Sequence, residues 1–86
     1  MPDIHYTPKF LRLAKKLEPD LQDEVERCLK LLQKNPRSTI LKTHKLTGTL
    51  RGYLSCSVDY QYRIIFKWDD QETITVLAVG DHDVYR

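Results

Sequence analysis

No stretch of this 86-residue chain approaches the roughly 20 apolar residues that a membrane-spanning helix needs. The first residues, MPDIHYTPKF, lack the apolar centre of a secretory signal, so a cytoplasmic location with no membrane partner is expected. Cysteine is scarce: Cys28 and Cys56 fit neither a disulfide framework nor a paired motif, and they are expected to be reduced and buried. The three glycines, Gly48, Gly52 and Gly80, form no phosphate-cradling loop and no Gly-x-Ser-x-Gly elbow, which removes nucleotide hydrolysis of the P-loop kind and serine-hydrolase chemistry. His5, His44 and His82 stand far apart and belong to no ligand motif, so no metal or other cofactor is expected. Repeats, low-complexity tracts and linkers are missing as well. What remains is one domain over residues 1–86, long enough for one modest core. With 41% hydrophobic and 30% charged residues, the composition is that of a folded globular chain and not of a disordered one.

The net charge is only +2, but it is unevenly spread. Residues 35–67 hold six basic side chains (Arg37, Lys42, Lys45, Arg51, Arg63, Lys67) against a single acid, Asp59, whereas the rest of the chain holds eight basic and eleven acidic ones. A polyanion would be drawn to that middle segment, where Lys42, Lys45, Arg51 and Lys67 are the candidates to hold it. Solvation of an exposed loop would account for the same charges.

Residues 3–6 alternate as a short strand. Thr7-Pro8 reads as an N-cap followed by proline at the first helical position, and Phe10, Leu13, Ala14 and Leu17 recur at helical spacing. Glu18-Pro19 stops that helix. Asp20 is expected to cap a second one, whose apolar stripe is Leu21, Val25, Cys28, Leu29 and Leu32, and Asn35-Pro36 ends it. A short connection between the helices predicts a helical hairpin with both stripes on one face of a sheet. In the connection over residues 37–43, Ile40 and Leu41 are expected to tuck under the helices. A glycine-punctuated loop then leads into strands over 53–58 and 60–67, with a tight turn near Asp59. On the second of these, Tyr62, Ile64, Phe66 and Trp68 should face one way and Arg63, Ile65 and Lys67 the other. A last strand over 72–79 should place Ile74, Val76 and Ala78 on one face. The coarse order is β-α-α-β-β-β, an α+β domain with a helical hairpin on one face of a small, mainly antiparallel sheet.

Chemistry has few bearers. Arg63 sits in mid-strand among apolar neighbours, where its planar fork could hold a phosphate, or could simply pair with Asp59 or an acid on the next strand. His44 precedes the hairpin; His82 and Tyr85 follow the last strand. Imidazoles titrate near neutrality, so two of them around a phosphodiester could share acid and base roles while the arginine stabilises developing charge.

The element order, the phrase His44-Lys45-Leu46-Thr47-Gly48 leading into Arg51-Gly52-Tyr53, the strand Tyr62-Arg63-Ile64-Ile65-Phe66 and the ending from Val79 to Arg86 together resemble the RelE/ParE toxin superfamily of type II toxin–antitoxin systems, nearest its RelE and YafQ branches. The resemblance spans nearly the whole chain. It implies a metal-independent endoribonuclease that cuts messenger RNA on the ribosome, the ribose 2′-hydroxyl attacking the adjacent phosphate, and that is neutralised by a cognate antitoxin in a hetero-oligomer. It implies a phosphate-binding role for Arg63, proton transfer by His82 with support from His44, and base stacking or base catalysis by Tyr85. The chain departs from both branches. Leu54 and Cys56 stand where RelE-like toxins carry lysines, and Ser57 and Gln61 stand where YafQ-like toxins carry a histidine and an aspartate, so slower chemistry is expected. ParE-like members poison DNA gyrase instead, and a non-catalytic module that binds RNA or protein is the reading from another class.

Overall fold

The computed structural model describes residues 1–81. Its first strand, β1, is Asp3–Tyr6. Thr7 then caps the first helix, α1 (Pro8–Lys15), as its spacing predicts: the side-chain Oγ1 accepts from the Phe10 N–H at 3.1 Å, and Pro8 occupies a position where a missing N–H costs nothing. The same hydroxyl donates to the Leu77 carbonyl at 2.8 Å, which ties the start of α1 to the last strand. The second helix, α2, is Pro19–Lys34, with Glu18 at the cap. Asp20 is not the cap; Pro19 takes the first helical position, and Asp20 falls inside the first turn, where its charge still meets the positive end of the helix.

Beyond α2 the chain makes one 3₁₀ turn, Thr39–Leu41. Only half of the expected tuck occurs here: Leu41 is buried, whereas Ile40 is 74% exposed, because consecutive residues of so tight a turn point in different directions. A two-residue strand that the sequence pattern does not announce, β2 (His44–Lys45), comes next, followed by a second 3₁₀ turn at Gly48–Leu50. Gly48 and Gly52 adopt φ of +69° and +94°, the left-handed region that glycine enters without steric cost. Three longer strands complete the sheet: β3 (Leu54–Ser57), β4 (Arg63–Trp68) and β5 (Thr73–Gly80). The β3–β4 turn is wider than expected. Asp59 Oδ1 accepts from the N–H groups of Gln61 and Tyr62 at 2.8 and 2.7 Å, and this side-chain mimic of a backbone turn delays the start of β4 to Arg63.

The strand order is β1-β5-β4-β3-β2, with β1 parallel to β5 and every other pairing antiparallel. The two helices cover one face. Phe10, Val25 and Leu32 from that layer close over Ile64, Phe66, Ile74 and Val76, and these buried residues form the core. Burial of this kind stabilises by about 1.5 to 3 kcal/mol for each large apolar side chain. A bulge modifies the alternation of β5. Ile65 pairs with Ala78 but Phe66 pairs with Val76, so Leu77 is the extra residue on β5. Ile74 and Val76 face the helices as expected, but Val79 joins them in the core, whereas Ala78 is turned to Ile65 on the other face. Among the described residues no helix is long and apolar enough to cross a membrane.

Candidate nucleic-acid site on the face of the sheet away from the helices

Strand alternation sends Leu54 and Cys56 toward the helices and Ser55 and Ser57 to the opposite face, together with Arg63, Ile65 and Lys67 of β4. Register then fixes the neighbours. Ser57 lies opposite Arg63, and Arg63 opposite Gly80, which brings no side chain of its own. Ser55 lies opposite Ile65 on one side and His44 on the other. His44 and Arg63 therefore share the face, two strands and one side-chain repeat apart, on the order of 12 Å between Cα atoms.

Arg63 is half-buried, and its Nη1 donates to Ser57 Oγ and to the Asp59 carbonyl at 3.4 Å. The Asp59 carboxylate does not pair with it, being committed to the turn amides, and Arg63 forms no ion pair with any described residue. Among the described residues its charge is oriented by a serine hydroxyl and meets no carboxylate, an arrangement suited to holding an anion. His44 is exposed, and its Nδ1 lies 3.3 Å from the Lys42 carbonyl. A carbonyl only accepts, so the contact is a hydrogen bond in the Nδ1–H tautomer of the ring. Lys42 itself adopts φ +49°, ψ +45°, a left-handed backbone that costs a non-glycine residue about 1 to 2 kcal/mol.

The four basic candidates divide. Lys45 and Arg51 line a cleft of about 690 Å³ together with Tyr53, Trp68, Gly48 and Gly52. Lys67 stands at its margin: its Nζ lies 5.6 Å from the centre of the Tyr53 ring and 3.7 Å from Asp69 Oδ1. Lys42 lies apart, in a second groove of about 680 Å³ with Ile40 and Tyr60. His82 and Tyr85 lie outside the described residues. Two contributors escaped the sequence reading. Tyr53 and Ser57 have no site role in the sequence pattern; register and the fold place Ser57 opposite Arg63 and the Tyr53 ring beside Lys67. Ser55 is fully buried on this face, its Oγ without a hydrogen-bond partner among the described residues. Among the described residues no three His, Cys, Asp or Glu side chains converge into a set that could hold a metal ion.

Two helices on one face of this five-stranded mixed sheet, with Arg63 and Lys67 on the other, make the RelE-like toxin fold. Solved structures share it: YafQ of E. coli strain BL21(DE3) superposes with a TM-score of 0.80 at 20% identity, covering 98% of this chain and 97% of that one. The YoeB–YefM complex of Staphylococcus aureus gives 0.75 at 21% identity over 95% and 98% of the two chains. The E. coli DinJ–YafQ toxin–antitoxin complex gives 0.77 at 21% identity over 96% and 94%. No curated protein matches the chain. The family model described as the ParE toxin of type II toxin–antitoxin systems matches residues 4–84, and the chain belongs to that family.

Proposed function

We propose that this toxin is a ribosome-dependent endoribonuclease that cuts messenger RNA by attack of a ribose 2′-hydroxyl on the adjacent phosphate, and that a cognate antitoxin holds it inactive in a hetero-oligomer. The observation that carries the reading is Arg63, a guanidinium fixed by Ser57 on a central strand with no carboxylate partner among the described residues. Such a group stabilises charge that develops on a phosphate in the transition state. His44, on the same face, offers Nε2 to a proton in its Nδ1–H tautomer, and the resemblance to RelE and YafQ toxins assigns the main proton transfer to His82 and base stacking to Tyr85. Lys45 and Arg51 would hold phosphates farther along the strand, in the cleft they share with Tyr53, whose ring is available to a base. The antitoxin follows from family membership and from the complexes in which YoeB and YafQ are solved.

Primer extension on a defined message in a reconstituted translation reaction tests the reading. Discrete ribosome-dependent cuts ending in cyclic phosphate, lost in Arg63→Ala and His82→Ala, are expected. The second reading is gyrase inhibition, favoured by the ParE description of the family. It predicts an uncut message and loss of supercoiling activity when the chain is added to gyrase.

A further inference from the structure

Cys28 of α2 and Cys56 of β3 meet across the interface between helix and sheet, their Sγ atoms 3.8 Å apart. Both are free thiols, brought together from distant parts of the chain. Cys56 is wholly buried, but Cys28 is 7% exposed and borders the groove that Ile40, Lys42 and Tyr60 line, a route by which a small solute reaches it. We propose that Cys28 and Cys56 are a redox-active dithiol that hydrogen peroxide converts to an intramolecular disulfide, fastening α2 to β3. The inference is independent of the nuclease reading.

The Cys28 thiolate attacks one oxygen of the peroxide; an S–O bond forms, the O–O bond breaks, and the released hydroxide takes up a proton as water. Cys28 is now a sulfenic acid. Cys56 sulfur attacks it; the S–S bond forms, the S–O bond breaks, and the hydroxide leaves as water with the Cys56 proton. Two thiols lose two electrons, and the peroxide is reduced to two waters. Geometry assigns the order, since only Cys28 borders the groove. Electrostatics agree: the hydrogen bond from Cys56 holds the Cys28 thiol below the usual range, and the same bond, with burial, pushes Cys56 up. Closing the sulfurs to bonding distance needs a movement of under about 2 Å, within reach of side-chain rotation.

The test treats the purified chain with hydrogen peroxide, alkylates remaining thiols in denaturant and reads intact mass and peptides. The expected product is monomeric, lighter by two hydrogen atoms, resistant to alkylation, cross-linked between the peptides carrying Cys28 and Cys56, and restored by dithiothreitol. Its Tm should rise by on the order of 10 °C, since the bond closes a long loop in the unfolded chain. Thiols that stay reduced, or oxidation that stops at sulfinic acid on one cysteine, would overturn the proposal. In Cys56→Ala, Cys28 should accumulate as sulfenic acid that a 1,3-diketone traps. Wild-type mass analysis decides the cross-link even if that variant fails to fold.

Discussion

Ser57 and Arg63 face each other across the β3–β4 ladder, the serine hydroxyl accepting from the guanidinium and no described carboxylate sharing it. A mid-strand arginine that meets no carboxylate among the described residues has its charge available for an outside anion. Arg63→Ala should therefore lower message cleavage by about 100- to 1,000-fold, on the order of 3 to 4 kcal/mol of transition-state stabilisation. The urea midpoint should move little, as only a half-buried hydrogen bond is removed. A collapse of the midpoint together with activity would assign Arg63 to the fold.

His82→Ala should abolish detectable cutting, while His44→Ala, which removes the supporting imidazole, should leave about 1 to 10% of the rate. Single-turnover cleavage of ribosome-bound message separates the two. Equal rates for His82→Ala and the native chain would remove His82 from the site.

Salt dependence should sort the basic residues. Lys45 and Arg51 line the cleft, so replacing either by alanine should reduce the slope of log K against log[salt] for single-stranded RNA by about 0.7. Lys67 is engaged with Asp69 and Tyr53, and its replacement should change the slope less. Fluorescence anisotropy across a salt series measures all three.

The raised pKa of Cys56 has a signed consequence for stability. Its hydrogen bond with Cys28 and its burial keep it protonated in the fold well above the pH at which the unfolded chain loses that proton. Above the ordinary thiol value, about 8.5, the folded state binds more protons than the unfolded one, so stability falls as pH rises, by up to about 1.4 kcal/mol per pH unit from this group. Urea denaturation between pH 9 and 10 should show a shallower decline when Cys28 and Cys56 are both replaced by alanine than in the native chain.

Thr7 joins two elements through one hydroxyl, accepting from Phe10 N–H and donating to Leu77 O. Thr7→Ala should cost about 1 to 2 kcal/mol of unfolding free energy, and Thr7→Ser should recover most of it.

Much of this molecule is legible in local sequence. Thr7-Pro8 starts α1, the paired prolines at 19 and 36 delimit α2, and alternation in residues 63–68 sorts Arg63 and Lys67 from Ile64 and Phe66. Each rests on neighbours within a few residues. Asp20 misled because two helix-start signals, a proline and an acid, stood side by side and the proline took precedence. Ala78 misled because a bulge reverses strand parity without any residue that marks it.

What the sequence determined alone is therefore the list of elements, their apolar faces and the residue types available for chemistry, since these follow from capping, turn propensity and periodicity within single segments. The tertiary structure decided which segments meet. Only folding sets β1 parallel beside β5, pairing Asp3 with Thr73, stands Ser57 opposite Arg63, and brings the sulfurs of Cys28 and Cys56 into contact. The reason is physical: pairings between distant residues are chosen by the burial of the whole core and by sheet register, and no local propensity encodes either.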